Sequence, residues 1–349
     1  MRIEAMEELL TAGKLTVRVI SALAVLAVVM LVCSLLGPEP VSLKAVFAGP
    51  DGQGAVNTDY EIFVHVRLPR VILACLVGAA LACSGVVFQA LLRNPLADPY
   101  ILGISSGAGL GAILAVISGF GWTLWGRSPI AVCAFAGALG TVWLVWFIGR
   151  FTGRSQVTGL LLAGVVVNAF FSAVIMFLTS VAESDHVFST IFWLMGHMTE
   201  EEFFVLWIGG GCVAAGVIAL FFISPQLNVV SLGGEQARTM GISTARTQTL
   251  AFAVAAAITA VAVSLSGLVG FVGLVVPHAV RLVFGPDHRQ LLPISAIIGG
   301  AFLVAADTLA RMVVAPAELP VGVVTAIVGG PFFLVLLVRY THKVGWLSK

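Results

Sequence analysis

Apolar runs long enough to cross a bilayer follow one another along this chain, parted by short polar breaks. A spanning helix needs about 20 mostly apolar residues, and charge-free stretches of that order run over 19–36, 71–92, 100–117, 128–149 and 155–182. Others cover 203–223, 247–266, 291–306 and 320–338. A further apolar piece over 268–285 is shorter and interrupted by Pro277; counting it gives ten spans. The count turns on that region, where two spans share a run broken only by Gly267 and Gly270. The predicted fold class is all-α: a polytopic membrane protein of about ten transmembrane helices, with residues 1–349 forming one domain. Between spans, 37–61 reads as a polar, glycine-rich loop with a turn at Asp51-Gly52-Gln53-Gly54. Within 183–202, Ile191 to Gly196 reads as a short helix near the membrane surface.

Composition supports lipid as the solvent. The chain is 59% hydrophobic and 10% charged, against roughly 25% charged in an average soluble domain, so it cannot clothe a water-soluble fold of this size. A net charge of +1 offers no basic surface for nucleic acid. The charged stretch 1–18 enters the first apolar run, and no small-residue cleavage site follows, which predicts a retained span rather than a signal peptide. With an even number of spans both termini share a side. Placing them in the cytoplasm puts 13 of the 18 Lys and Arg residues inside and leaves Lys44, Arg67, Arg70, Arg127 and Arg311 outside. That bias predicts N-in, C-in. Cys33, Cys75, Cys83, Cys133 and Cys212 all lie in apolar runs without CxxC spacing, so buried free thiols are expected, with no metal site and no cofactor.

Chemistry within the chain is not expected. No G-x-x-x-x-G-K-[ST] loop is present to cradle a nucleotide phosphate, and neither G-x-S-x-G nor H-E-x-x-H occurs. Active transport would then draw on an ion gradient or on another subunit. Ion-coupled carriers usually keep ionisable groups in mid-membrane, whereas these span interiors are nearly free of them. Asp307 is an exception, one turn from Arg311. This favours an external energy source, although backbone carbonyls can also bind sodium, so a gradient-driven secondary transporter stays open.

Two blocks are distinctive. The first runs Arg67-Leu68-Pro69-Arg70, Gly78 to Gly85, Gln89, then Arg93-Asn94-Pro95-Leu96-Ala97-Asp98-Pro99 to Leu102-Gly103. The second runs from Gly270-Phe271-Val272-Gly273 through Pro277-His278, Arg281, Asp287-His288-Arg289, Ala306-Asp307, Arg311 and Glu318-Leu319-Pro320 to Gly329-Gly330-Pro331. Together they resemble the FecCD-type permeases, membrane subunits of ATP-driven importers for iron-siderophores, haem and cobalamin. The resemblance covers nearly all of 67–337. It implies a homodimer with the pathway at its interface, two cytoplasmic ATP-binding subunits, an extracytoplasmic substrate-binding protein, and residence in the bacterial inner membrane. Ferric siderophore is the first expectation for the cargo, with haem and cobalamin open.

Residue roles follow on the same footing. The polar cytoplasmic loop 231–241, between spans six and seven, holds Gly233, Gly234, Glu235, Gln236, Ala237, Arg238, Met240 and Gly241. Its paired glycines suggest two short helices joined by a turn, and the resemblance makes it the segment that engages the ATPase. Arg67, Arg70 and Arg311 break the charge rule; arginines there could grip carboxylates of a docking protein, the resemblance pointing to Arg67 and Arg311. Helix-end anchoring, or an i,i+4 pair of Arg311 with Asp307, is the plainer alternative. Asn94 and Leu96, with Val157 and Thr158 in the neighbouring loop, fall where the family places a cytoplasmic gate. Asn168 is a lone polar residue in span five, facing the pathway or hydrogen-bonded between helices. Gly103, Gly107 and Gly111, like Gly78, Ala82 and Gly85, have the small-residue spacing that lets helices pack closely.

Overall fold

A computed structural model describes residues 10–52, 55–119, 129–151, 156–198, 201–233, 237 and 239–345. The chain opens with α1 (Ala12–Leu35), started by Thr11, whose hydroxyl accepts from the Lys14 N–H. A short α2 (Leu43–Phe47) and a two-residue hairpin, β1 (Asp51–Gly52) with β2 (Ala55–Val56), occupy the first long loop. Next comes one long helix, Thr58–Leu91. It begins as α3 (Thr58–Glu61), widens into a π-helical turn over Ile62–Arg67, and continues as α4 (Leu68–Leu91). Pro69 explains the widening: it has no N–H for the preceding turn and its ring crowds that turn's carbonyl.

A 3₁₀ turn (Pro99–Leu102) leads through Gly103, at φ +76°, into α5 (Ile104–Ile117). The chain continues with α6 (Pro129–Arg150), α7 (Gln156–Val181), α8 (Ser184–Leu194), α9 (Phe203–Phe222) and α10 (Ser224–Leu232). The last elements are α11 (Thr244–Ser266), α12 (Val272–Phe284), α13 (His288–Met312) and α14 (Val321–Gly345). Among the described residues seven helices are long and apolar enough to cross a membrane. Three shorter apolar helical stretches, Ile104–Ile117, Val272–Phe284 and Val321–Val335, accompany them. Each of these ten corresponds to one apolar run of the sequence. The doubtful piece over 268–285 is α12, which carries Pro277 inside it; the break falls earlier, at Gly267 (φ +66°) and Phe271 (φ +68°).

α4 is the axis of the molecule, surrounded by α13, α11, α12 and α9. Backbone contact makes this possible. A Cβ on Gly78 would strike the Gly299 carbonyl of α13, and one on Gly85 would strike the Gly273 carbonyl of α12. Beside this group α5 lies equally close to α6, with Gly107 against Gly137. Lipid is as apolar as leucine, so helices gain no hydrophobic drive from meeting one another in a membrane; close van der Waals contact of this kind holds them.

Candidate functional site

At the end of the bundle where α1 finishes and α4 starts, five charged side chains converge. Arg70, on the first turn of α4, directs its Nε at both oxygens of Asp307 (3.2 Å each) and another guanidinium nitrogen at Glu318 Oε2 (2.8 Å). Asp307, near the end of α13, also pairs with Arg311 one turn on, at 3.2 Å. The Arg70, Asp307 and Arg311 side chains are almost wholly buried, while that of Glu318 is 37% exposed. Arg67 stands beside them, with the Asp59 carboxylate in Coulombic reach and its hydrogen bonds going to backbone carbonyls. It donates to the carbonyl of Leu35 at 2.8 Å and to those of Ser34 and Glu39. The open carbonyls of a helix end carry partial negative charge, so α1 supplies Arg67 with a dipolar acceptor. Gly37 leaves the space, since a Cβ there would come within 2.6 Å of the guanidinium.

The three arginines singled out in the sequence are therefore brought together, and buried, in one cluster. The i,i+4 pair of Arg311 with Asp307 is present. Sequence reasoning did not find Glu318 as the second partner of Arg70, nor the carbonyl cradle around Arg67. A polar residue following a Gly-Pro helix exit, as at Gly37-Pro38-Glu39, is the nearest available signal.

At the other end of α4 the chain turns tightly. Asn94 is exposed, and its Oδ1 accepts from the Leu96 N–H at 2.9 Å, which makes it a turn residue; Leu96 is half-buried. Asp98 caps the 3₁₀ turn by accepting from the Tyr100 N–H at 2.9 Å, and the Tyr100 hydroxyl accepts from the Val269 N–H at 3.1 Å. Burial pushes the Asp98 carboxyl up to about 6, against the lowering effect of that N–H. Val157 and Thr158 fall in the first turn of α7, with side chains outside the described residues. Asn168 is half-buried on α7, between Val166 and Phe170, which are both exposed.

In the loop 231–241, Gly234, Glu235, Gln236 and Arg238 lie outside the described residues. α10 ends at Leu232, Gly233 follows at φ 150°, Ala237 is helical and buried, and Met240 is exposed. Gly241, at φ +76°, turns the chain toward α11. Among the described residues no group of three or more His, Cys, Asp or Glu side chains could hold a metal ion.

A multi-pass helical bundle of this composition, with charged groups gathered at one end, defines a polytopic membrane protein. The chain belongs to the FecCD transport family, whose model matches residues 24–339. It is 40% identical to the cobalamin import system permease protein of Halobacterium salinarum, over 89% of this chain and 93% of that one. It is 39% identical to the hemin transport system permease protein of Yersinia pestis, over 81% and 85%. Among solved structures, an inward-facing metal-chelate type ABC transporter superposes with a TM-score of 0.81 at 29% identity, covering 92% of this chain and 98% of that one. The protein is thus the membrane permease of an ABC transporter and not its ATPase.

Proposed function

We propose that this permease imports a metal chelate, of the cobalamin, haem or ferric-siderophore class, received from an extracytoplasmic binding protein. Two copies would form the pathway between them, and two ATPase subunits would drive it from the cytoplasm. The observation that carries this reading is the unbroken family match over 24–339 on a chain with no nucleotide-binding loop. The relatives named for cobalamin and hemin support the cargo class. The charge bias supports an orientation with both termini in the cytoplasm, so that α10 and 231–241 face the ATPase and the arginine cluster faces outward.

Docking at that outer end follows the family resemblance for Arg67 and Arg311. Asp307 and Glu318 pair with Arg70 and Arg311, and Asp59 lies within Coulombic reach of Arg67. The hydrogen bonds of Arg67 go to backbone carbonyls, so it is the arginine best able to exchange them for a docking carboxylate. Asn94, Leu96, Val157 and Thr158 would narrow the cytoplasmic mouth, and Asn168 would border the path.

The test is reconstitution. Liposomes holding the permease with its ATPase subunits should take up cyanocobalamin, haemin or a ferric siderophore only when ATP and the binding protein are supplied. Removing 231–241 should release the ATPase. Uptake by the permease alone, abolished by an ionophore, would establish a secondary transporter instead.

A further inference from the structure

The segment expected to engage the ATPase has to be fastened to the spans it moves, and a polar hook just ahead of it does this. α10 packs through Leu227 and Val230, both fully buried, and on the turn between them carries Asn228. Asn228 Nδ2 donates to Asp287 Oδ1 at 2.8 Å, and its Oδ1 accepts from the His288 N–H at 2.8 Å. The His288 ring nitrogen Nδ1 lies 2.6 Å from that same Oδ1. A backbone N–H can only donate, so Oδ1 is the acceptor throughout and the ring proton sits on Nδ1. Asp287 is the N-cap of α13 and is itself clamped by Arg289. Burial alone would raise the Asp287 carboxyl, but the hydrogen bonds from Arg289 and Asn228 outweigh it and hold the group at about 2, so it is charged at neutral pH.

The far end of α13 carries Asp307 and Arg311, tied to Arg70 of α4. Between the ends, Gly299 lies backbone to backbone against Gly78. α10 is therefore joined at one end of a helix of 25 residues, about 37 Å long, whose opposite end is locked into the arginine cluster.

We infer that Asn228 is a positioning residue for energy coupling. It hands displacement of 231–241 to the first turn of α13, and the α4–α13 pair carries it to the outer cluster. This rests on reading 231–241 as the ATPase-engaging segment. Ordinary apolar packing of α10 would permit sliding; three hydrogen bonds on one amide do not, because a shift of about 1 Å breaks their geometry.

The experiment uses the permease with its ATPase subunits in liposomes, with basal and binding-protein-stimulated ATP hydrolysis measured side by side. Asn228→Ala is expected to retain ATPase binding and basal hydrolysis while stimulation falls about tenfold. The exchange Asn228→Asp with Asp287→Asn keeps both His288 bonds on residue 228, and its 287 amide keeps either the bond to residue 228 or the α13 cap, since Asp287 Oδ1 accepts both; it should recover part of the stimulation. The inference is overturned if Asn228→Ala leaves stimulation intact, or lowers basal and stimulated rates in proportion. It is equally overturned if the exchange variant folds but stays uncoupled, or if neither variant folds, since the hook would then serve folding alone. Loss of ATPase binding on removing 231–241 is a separate outcome, so failure of the docking reading can be told apart from failure of the hook. A wild-type complex that is stimulated yet imports none of cyanocobalamin, haemin or ferric siderophore would fault the cargo class and leave Asn228 decided by the hydrolysis ratio.

Discussion

Asp307 has two guanidinium neighbours and almost no water around it. Removing its charge would strand Arg311 and leave Arg70 with Glu318 alone, and breaking a buried pair typically costs about 3–5 kcal/mol. Asp307→Ala should therefore lower the denaturation midpoint in detergent micelles strongly. Glu318→Gln, at a side chain 37% exposed, should cost no more than about 1 kcal/mol. Equal losses would contradict this division of labour within the cluster. Asp98 gives a pH-dependent case. Its carboxyl is raised to about 6 in the fold from about 3.9 in an unfolded chain. A raised pKa contributes stability that is complete below the unfolded value and lost as pH rises through the folded one. Asp98→Asn keeps an acceptor for the Tyr100 N–H without the charge, so it should gain on the wild type as pH rises from about 4 to about 6 and hold that gain above, by at most about 3 kcal/mol. A melting difference that stays constant over that range would refute the assignment. Of these contacts, the pair of Asp307 with Arg311 could be read from their spacing. The bonds from Arg70 to Asp307 and Glu318 could not, because they join residues 237 and 248 positions apart.

At the scale of elements, hydropathy reports depth in the membrane and says little about direction. The most apolar 18-residue stretches of α1 and of the Thr58–Leu91 helix share a mean hydropathy of 2.6, yet 6% of one and 78% of the other is buried in the protein. Lipid and protein interior are equally apolar, so a span shows no polar face to mark its outer side. This is why the runs of the sequence became helices while their neighbours stayed hidden; α10, nine residues opening on Ser224-Pro225-Gln226, is too short for an apolar run to mark it. Small residues were the one directional signal: Gly78, Gly85 and Gly107 all lie at close contacts. Gly78→Leu should force α4 away from α13 and cost about 3 kcal/mol. Gly140→Ala on α6, where a Cβ meets nothing within 4 Å, should be neutral or stabilise by up to about 1 kcal/mol. Thermal unfolding of the two variants in the same detergent checks the contrast.

For the molecule as a whole, the faces left bare carry the argument. α7 exposes Leu162, Val165, Val166, Phe170 and Phe177, and α1 exposes Val17, Ile20, Leu23 and Val28. Both surfaces are apolar, so composition alone cannot say which meets lipid and which meets a second permease. Polarity elsewhere on each helix separates them. Along α7 the half-buried Asn168 interrupts the apolar face, and an amide facing hydrocarbon is costly unless protein or water satisfies it. The spanning part of α1 has no such group beyond hydroxyls that bond its own turns, Ser21 to Arg18 and Ser34 to Leu31. In the proposed dimer a second copy would therefore lie against α7 and lipid against α1. With the five native cysteines replaced, Phe170→Cys should give a covalent dimer under a short bifunctional thiol reagent, and Leu23→Cys should stay monomeric. The converse pattern would move the proposed pathway away from α7 and overturn the role proposed for Asn168.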